Sequence, residues 1–535
     1  MIADLILING KIVTVDSHGT IAEAVAVKFG RILAVGSNED IKLLMGEGTE
    51  VLDLEGRTVL PGFIDSHCHF TSFGIQRIMA IDCSYESGVR CIRDIQDRIR
   101  GKAKITPKGE WINVVQVDDS KLVEKRFPTR WELDEAAPDH PVCLATVGGH
   151  FYIFNSKAFE LAGITKGTPD PPGGRFERDP VTGELTGGVH ERAKELVQPI
   201  PFGRLPREEE VMEGIKLTLK EYASAGLTCA YDGWTDGIHL RALQRLREAG
   251  ELPIRVRVDV YYTLLPDLDR CGVLQGLGDD WLKICGIKVV CDGAISARTA
   301  AVSQPYLHKP NYYGELAITG EELRRVVLEG YGRGYRFCVH ANGDRAINMC
   351  LDVLEEAQER YPRRDPRNRI IHCTVVNPAI IERLKKLNIL PTIFGAYPYY
   401  HGDKILPAFG AERLQWMFAA RSMLDAGLKV AAHSDHPASP YPPLLGIHSL
   451  VNRRSARGVP IGERQKVSVM EAIKLYTINA AYHSFDEDKL GSIEPGKLAD
   501  FVVLGEDILT IPTERIKDIP VEMTIIEGRI IYRRG

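Results

Sequence analysis

The chain has 535 residues, 44% hydrophobic and 26% charged, and its 67 Lys+Arg against 72 Asp+Glu give a formal net charge of -5. This balance excludes disorder, collagen and coiled coil as descriptions of the whole chain. It also gives no electrostatic argument for a nucleic-acid or anionic-membrane partner. At about 150 residues per domain the length suits three or four domain equivalents, or one α/β barrel of about 250 residues or more with smaller attachments. The eleven cysteines contain no Cys-x-x-Cys pair and read as buried, reduced thiols. No apolar run approaches the ~20 residues of a membrane helix. The opening MIADLILINGKIVTV carries Asp4 and has no basic start, so it reads as a strand rather than a signal peptide. A cytoplasmic protein is expected.

Residues 1–57 read as short strands, ADLILING, KIVTVD, AEAVAVKFG and RILAVGS, separated by Asn9-Gly10 and Phe29-Gly30. Residues 489–535 have the same character in LADFVVLG, VEMTIIEG and RIIYRR. A strand module of about 60 residues is marginal alone. The two ends are therefore expected to combine into one small β-sandwich.

Between them, 58–488 alternates strand and helix. The strand-like runs are TVLPGFIDSHCHF (58–70), LTCAYDG (227–233), IRVRVDVYY (254–262), GIKVVCDG (286–293), RFCVHANG (336–343), RIIHCTVV (369–376), LPTIFGA (390–396) and KVAAHSDHP (429–437). The clearest helix lies between Pro206 and Gly226, with apolar residues at Val211, Met212, Ile215, Leu219 and Tyr222. Eight alternations predict an α/β fold, a (β/α)8 TIM barrel. One interval breaks the rhythm, an insertion over about 71–205 after the first barrel strand. In it, RFERD and GELTGG around Pro180 and Gly183 read as a hairpin. An insertion of this length is expected at the top of the barrel as a lid or substrate-binding element.

Barrel catalytic groups come from the C-terminal ends of strands. His67 and His69 end the first run, and residues two apart on a strand face the same side, so both imidazoles can reach one cation. His340 ends the fifth run, His372 lies in the sixth and Asp435 ends the eighth, while Lys288 sits among apolar neighbours in the fourth. A free lysine would repel a metal, whereas a lysine carboxylated by carbon dioxide is an anion that can bridge two. Cys68 alternates with the histidines and is expected to face outward. His433 and His436, flanking Asp435, are read as outward-facing or structural. Asp292 is read as supporting the site or capping a helix, and it joins His150 and Arg298 as a candidate substrate contact.

Together with VGGHFYIFNSKAFELAGI, GGRFERDPVTGELTGGVHE, VHANGDRAIN, HSDHPASPYPPLLGIHSLV and GSIEPGKLADFVVL, this constellation resembles the metal-dependent amidohydrolase superfamily. The similarity is to its YtcJ-like, N-substituted formamide deformylase-like branch and covers nearly the whole chain. The resemblance implies a barrel plus β-sandwich, metal ligands at His67, His69, Lys288, His340 and His372, and Asp435 as catalytic acid/base. The cofactor is expected to be one or two divalent ions, zinc by preference. A divalent ion lowers the pKa of water from about 15.7 toward 7, and Asp435 would carry the proton from that water to the leaving nitrogen. The expected partner is an amide-like small molecule, with no nucleic acid or membrane, and the chain is compatible with a homo-oligomer. A cyclic amide hydrolase or deaminase is the alternative among enzymes, and an inactive regulator or binding protein is the alternative outside them.

Overall fold

A computed structural model describes residues 1–535 apart from Glu86, Gly148, His150 and His308. The chain forms two compact units, Met1–Phe70 with Lys216–Gly535, and 71–215.

The first unit contains an eight-stranded sheet made of Phe63–Cys68, Leu227–Thr235, Arg255–Tyr261, Leu282–Val290, Phe337–Ala341, Arg369–His372, Leu390–Phe394 and Ala431–His433. Successive strands pair in parallel, with helices such as Gly237–Glu248, Gly320–Gly332, Asp344–Arg360 and Pro378–Lys386 between them. The eighth strand meets the first through Ser66 Oγ, which donates to the Ala432 carbonyl at 2.8 Å, and through the Asp435 N–H, which donates to the His67 carbonyl at 3.0 Å. This is a (β/α)8 barrel, and each expected run supplies one strand of it.

One run is divided. Thr58–Pro61 pairs with Lys11–Val13 and Phe501–Leu504 in a different sheet, and the first barrel strand starts at Phe63. The break falls at Pro61-Gly62, where proline has no N–H to continue a ladder. That other sheet has six strands, three from near the N-terminus and three from the C-terminus. A four-stranded sheet of Arg31–Gly36, Ala24–Lys28, Leu5–Ile8 and Glu50–Asp53 accompanies it. Leu5, Leu7, Val25 and Val27 from one sheet pack with Ile12, Val59, Phe501, Val503 and Ile525 from the other in one buried cluster.

The second unit has its own six-stranded sheet and a core that includes Ile95, Ile99, Val114, Leu133 and Leu144. Gly174–Arg178 and Leu185–Glu191 form the expected antiparallel hairpin. Gly183 supplies the positive φ of 71° in its turn, a conformation that costs glycine little. Among the described residues no helix is long and apolar enough to cross a membrane.

Within the first unit, Arg255 on the third barrel strand grips Asp500 beside the sandwich sheet. Its Nε lies 2.6 Å and its Nη2 3.0 Å from the two carboxylate oxygens, and both side chains are buried. Glu527 Oε1 also lies 3.2 Å from Arg255 Nη2, so losing Asp500 leaves the guanidinium one carboxylate and costs part of the ~3–5 kcal/mol that breaking a buried pair costs. Asp500→Ala should therefore lower the midpoint of chemical unfolding by a corresponding amount. An unchanged midpoint would show that Glu527 or water compensates Arg255 and that the pair with Asp500 contributes little.

Candidate metal centre

The C-terminal ends of strands one, four, five, six and eight bring their polar side chains to one place. The His67 and His69 rings lie 4.9 Å apart, edge to face. Asp435 Oδ1 is 3.4 Å from His67 Nε2 and 3.3 Å from His69 Nε2. Lys288 Nζ lies 3.2 Å from His67 Nε2. Across the mouth, His340 Nδ1 and His372 Nε2 are 3.0 Å apart. One donor atom from each of His67, His372 and Asp435 falls within 4.8 Å of the others. All six residues expected as ligands or acid/base are thus brought together.

For two neighbouring residues one of the readings left open by the sequence is corrected and the other holds. His433, expected to face outward or act structurally, is buried in the cluster. Its Nε2 is 3.3 Å from His372 Nδ1, and its ring is 5.4 Å from that of His67. The strand ends at His433 and Asp435 takes left-handed backbone, φ 56°, so strand alternation does not predict how these two side chains are placed. Asp292, counted among candidate substrate contacts, is fully buried and its carboxylate is already occupied. It accepts from the N–H groups of Ala301 at 2.8 Å, Asn342 at 2.9 Å and Gly343 at 2.8 Å. Its Oδ1 also lies 3.4 Å from His340 Nε2. Asp292 therefore steadies His340 and, through Gly343, the start of helix Asp344–Arg360.

Other residues follow their expected placement or stand apart. Cys68 points away from the histidines, its thiol donating to the Tyr231 carbonyl at 3.3 Å. His436 is structural, its Nδ1 2.9 Å from Tyr222 Oη. Arg298 is exposed with left-handed backbone, φ 59°, and among the described residues it makes none of the cluster's contacts. His150 lies outside the described residues.

Residues that pattern reading missed hold the donors in place. Asp65 accepts from the Ser434 N–H at 3.1 Å, from Ser434 Oγ and from the His67 N–H at 3.3 Å, tying strand one to strand eight. The only sequence signal for it is an acidic residue two before His67. Gly233 has a spatial reason that no sequence pattern carries: a Cβ there would sit 2.0 Å from His67 Cε1. Phe394 lies flat against His372, 4.5 Å away at 10°.

The electrostatics suit a cation. Burial above all pushes the His67 and His372 imidazoles well below their ordinary value and His433 down to about 3, so their nitrogens carry lone pairs at neutral pH. Burial also opposes the charge of Asp435, but His372, His67 and His69 outweigh it and hold the carboxyl well below the usual range. Among the described residues, His67 Nδ1, His433 Nδ1 and Asp435 Oδ1 are buried without a hydrogen-bond partner. His340 turns Nε2 toward the Gly293 carbonyl at 3.2 Å, so an Nε2–H donates there and leaves the Nδ1 lone pair for the centre. Neutral imidazoles and one carboxylate converging with spare acceptors form a donor set for a divalent transition metal.

A parallel barrel with imidazole and carboxylate donors gathered at its strand ends defines a metal-dependent barrel hydrolase. The comparisons agree. The amidohydrolase family pattern matches residues 50–532. Protein YtcJ of Bacillus subtilis (strain 168) is 30% identical over 541 residues, covering 98% of this chain and 99% of YtcJ. The N-substituted formamide deformylase of Arthrobacter pascens is 29% identical over 542 residues, covering 99% of this chain and 98% of the deformylase. The crystal structure of an uncharacterized metal-dependent hydrolase from Pyrococcus horikoshii OT3 superposes with a TM-score of 0.77 at 28% identity, covering 95% of this chain and 99% of that one. The chain belongs to the amidohydrolase family, and it is a metal-dependent hydrolase.

Gly233→Ala tests the packing of the centre. The added methyl must displace the His67 ring, so metal content and activity should fall together while the circular dichroism spectrum stays that of the parent. Full metal content with full activity would show that the ring has room to move.

Proposed function

We propose that this enzyme hydrolyses a carbon–nitrogen bond in an amide-like small molecule, with an N-substituted formamide as the leading substrate type. The observation that carries this reading is the convergence of His67, His69, Lys288, His340, His372 and Asp435 at the barrel mouth. The similarity to a formamide deformylase along nearly the full chain supports it. In this reading the four histidines and Lys288 hold one or two divalent ions, zinc by preference. The setting is the cytoplasm, with a small-molecule partner and no nucleic acid or membrane, a choice supported by the near balance of charge.

A divalent ion held there supplies Lewis acidity to a carbonyl oxygen and lowers the pKa of water from about 15.7 toward 7. The remaining steps belong to side chains. Asp435 Oδ1 reaches the same centre, 3.4 Å from His67 Nε2 and 3.3 Å from His69 Nε2. It takes a proton from the attacking water and returns it to the leaving nitrogen, so that an amine and a carboxylic acid depart. Asp292 and the Gly293 carbonyl keep His340 in the tautomer whose Nδ1 faces the centre. Burial brings the Lys288 amine down to about 8, which raises its neutral, nucleophilic fraction at neutral pH. That form adds to carbon dioxide and loses a proton to become a carbamate, whose negative charge removes the repulsion between an ammonium and a metal.

Metal analysis with an amide panel tests the activity. The purified enzyme should contain a divalent ion and release amine from N-substituted formamides. Chelation should abolish turnover and added metal restore it, and an active metal-free preparation would overturn the reading. Asp435→Asn keeps the size and removes the base, so it should retain most of the metal and lose about 10²–10⁴-fold in kcat, the usual range for acid–base catalysis. Near-normal turnover would remove Asp435 from the mechanism.

Lys288→Ala should lower metal occupancy, and short carboxylic acids added to the variant should restore part of it by standing in for the carbamate. Parent-like occupancy in the unsupplemented variant would leave Lys288 no role as a ligand.

A further inference from the structure

The end of the second barrel strand carries aromatic side chains that the chemistry above does not use. Its register slips by one residue: Asp232 pairs with Val258 and Thr235 with Val260, so Gly233 and Trp234 together oppose Asp259. A bulge of this kind re-aims successive side chains and is common beside active sites. Gly233 is turned toward the His67 ring, as the 2.0 Å approach of a Cβ there requires. Trp234 is carried along and lies flat on Tyr261, ring centres 4.0 Å apart at 12°. Tyr262 meets Tyr261 edge-on at 4.9 Å.

The position of this stack follows from pairing. Tyr261 is in register with Lys288 on the neighbouring strand, and in-register residues of adjacent strands share a face. Lys288 faces the metal centre, its Nζ 3.2 Å from His67 Nε2, so the stack starts on the strand beside the one that carries Lys288. It is not sealed: Trp234 remains 38% exposed, and Tyr261 and Tyr262 are half-buried.

We propose that Trp234, Tyr261 and Tyr262 form a shelf that binds a planar aromatic ring on the substrate. This rests on reading the barrel mouth as the reaction site and narrows the substrate class to aryl-bearing amides. An aromatic ring gains from offset or edge-to-face contact with such a surface beyond what burial alone supplies, and a saturated ring of similar size does not. The ring carries no positive charge, because a divalent ion beside Lys288 would repel one.

The test separates the shelf from the reaction by using phenylacetate and cyclohexylacetate, which have no bond to cleave. Their affinities for the metal-loaded enzyme are measured by calorimetry, beside turnover of benzyl- and cyclohexylmethyl-substituted formamides. Phenylacetate should bind about 2- to 10-fold more tightly than its saturated counterpart, the range expected of one aromatic pair. Trp234→Ala should bring the two within twofold of each other without changing metal content, and Tyr261→Leu should do the same. Equal affinities in the parent, including no measurable binding of either acid, would overturn the shelf. So would a preference that survives both substitutions. An aryl preference that disappears in the variants supports the shelf even if no formamide is turned over, and that last result would count against the hydrolytic reading alone.

Discussion

The site depends on the seam where the eighth barrel strand meets the first. Asp65 holds Ser434 through both its N–H and its hydroxyl and accepts from the His67 N–H. The backbone completes the join: the Asp435 N–H donates to His67, and the His69 N–H donates to His436 at 2.8 Å. Residues some 370 positions apart in sequence are thereby locked in register. His67 and His69 come from one side of the seam, His433 and Asp435 from the other. Burial raises Asp65 to about 7, and its three donors offset part of that cost, as a carboxylate surrounded by hydrogen bonds requires.

Below and beside the seam, each donor is steadied by a different device. Arg369 and Asp259 form a fully buried pair inside the barrel, and Arg369 also donates to the Ser66 carbonyl at 3.3 Å. This charged layer lies among the surroundings of Lys288, where burial lowers the amine, Asp259 works to raise it and Arg369 to lower it further. His340 is set by Asp292 and the Gly293 carbonyl, and His372 by the face of Phe394. Gly233 leaves the space that His67 fills. Hydrogen bonds, stacking and omitted volume serve the same end, gathering imidazole nitrogens and one carboxylate in a largely buried place. Such an arrangement is expensive for a fold to maintain without a cation to match it.

The family is shared by relatives at about 30% identity along the full chain, so the barrel and its donors say more about reaction class than about substrate. Other features sit just beyond the donors. The bulge at Gly233 and Trp234 joins a position required by His67 to a position free to meet a substrate. In the reading proposed above, selectivity and the packing of His67 would be coupled through two adjacent residues of one strand.

Much of this was legible in the sequence because it is local. Strand periodicity and turn residues located all eight barrel strands, and a strand's C-terminal end is where catalytic groups belong. His67, His69, Lys288, His340, His372 and Asp435 could therefore be picked out by position on their own strands. Whatever required two distant segments to meet was decided by tertiary structure alone. Pro61 ended one strand and sent Thr58–Pro61 to pair with Phe501–Leu504, a partner more than 400 residues away. His433 could be read as outward-facing or structural until closure of the barrel placed it 3.3 Å from His372. Asp292 could be read as a support, a cap or a substrate contact until three backbone N–H groups from two later segments converged on it. Register between strands, and the burial that follows from it, belongs to the folded chain, because it depends on which surfaces meet and a linear pattern records only what each surface contains.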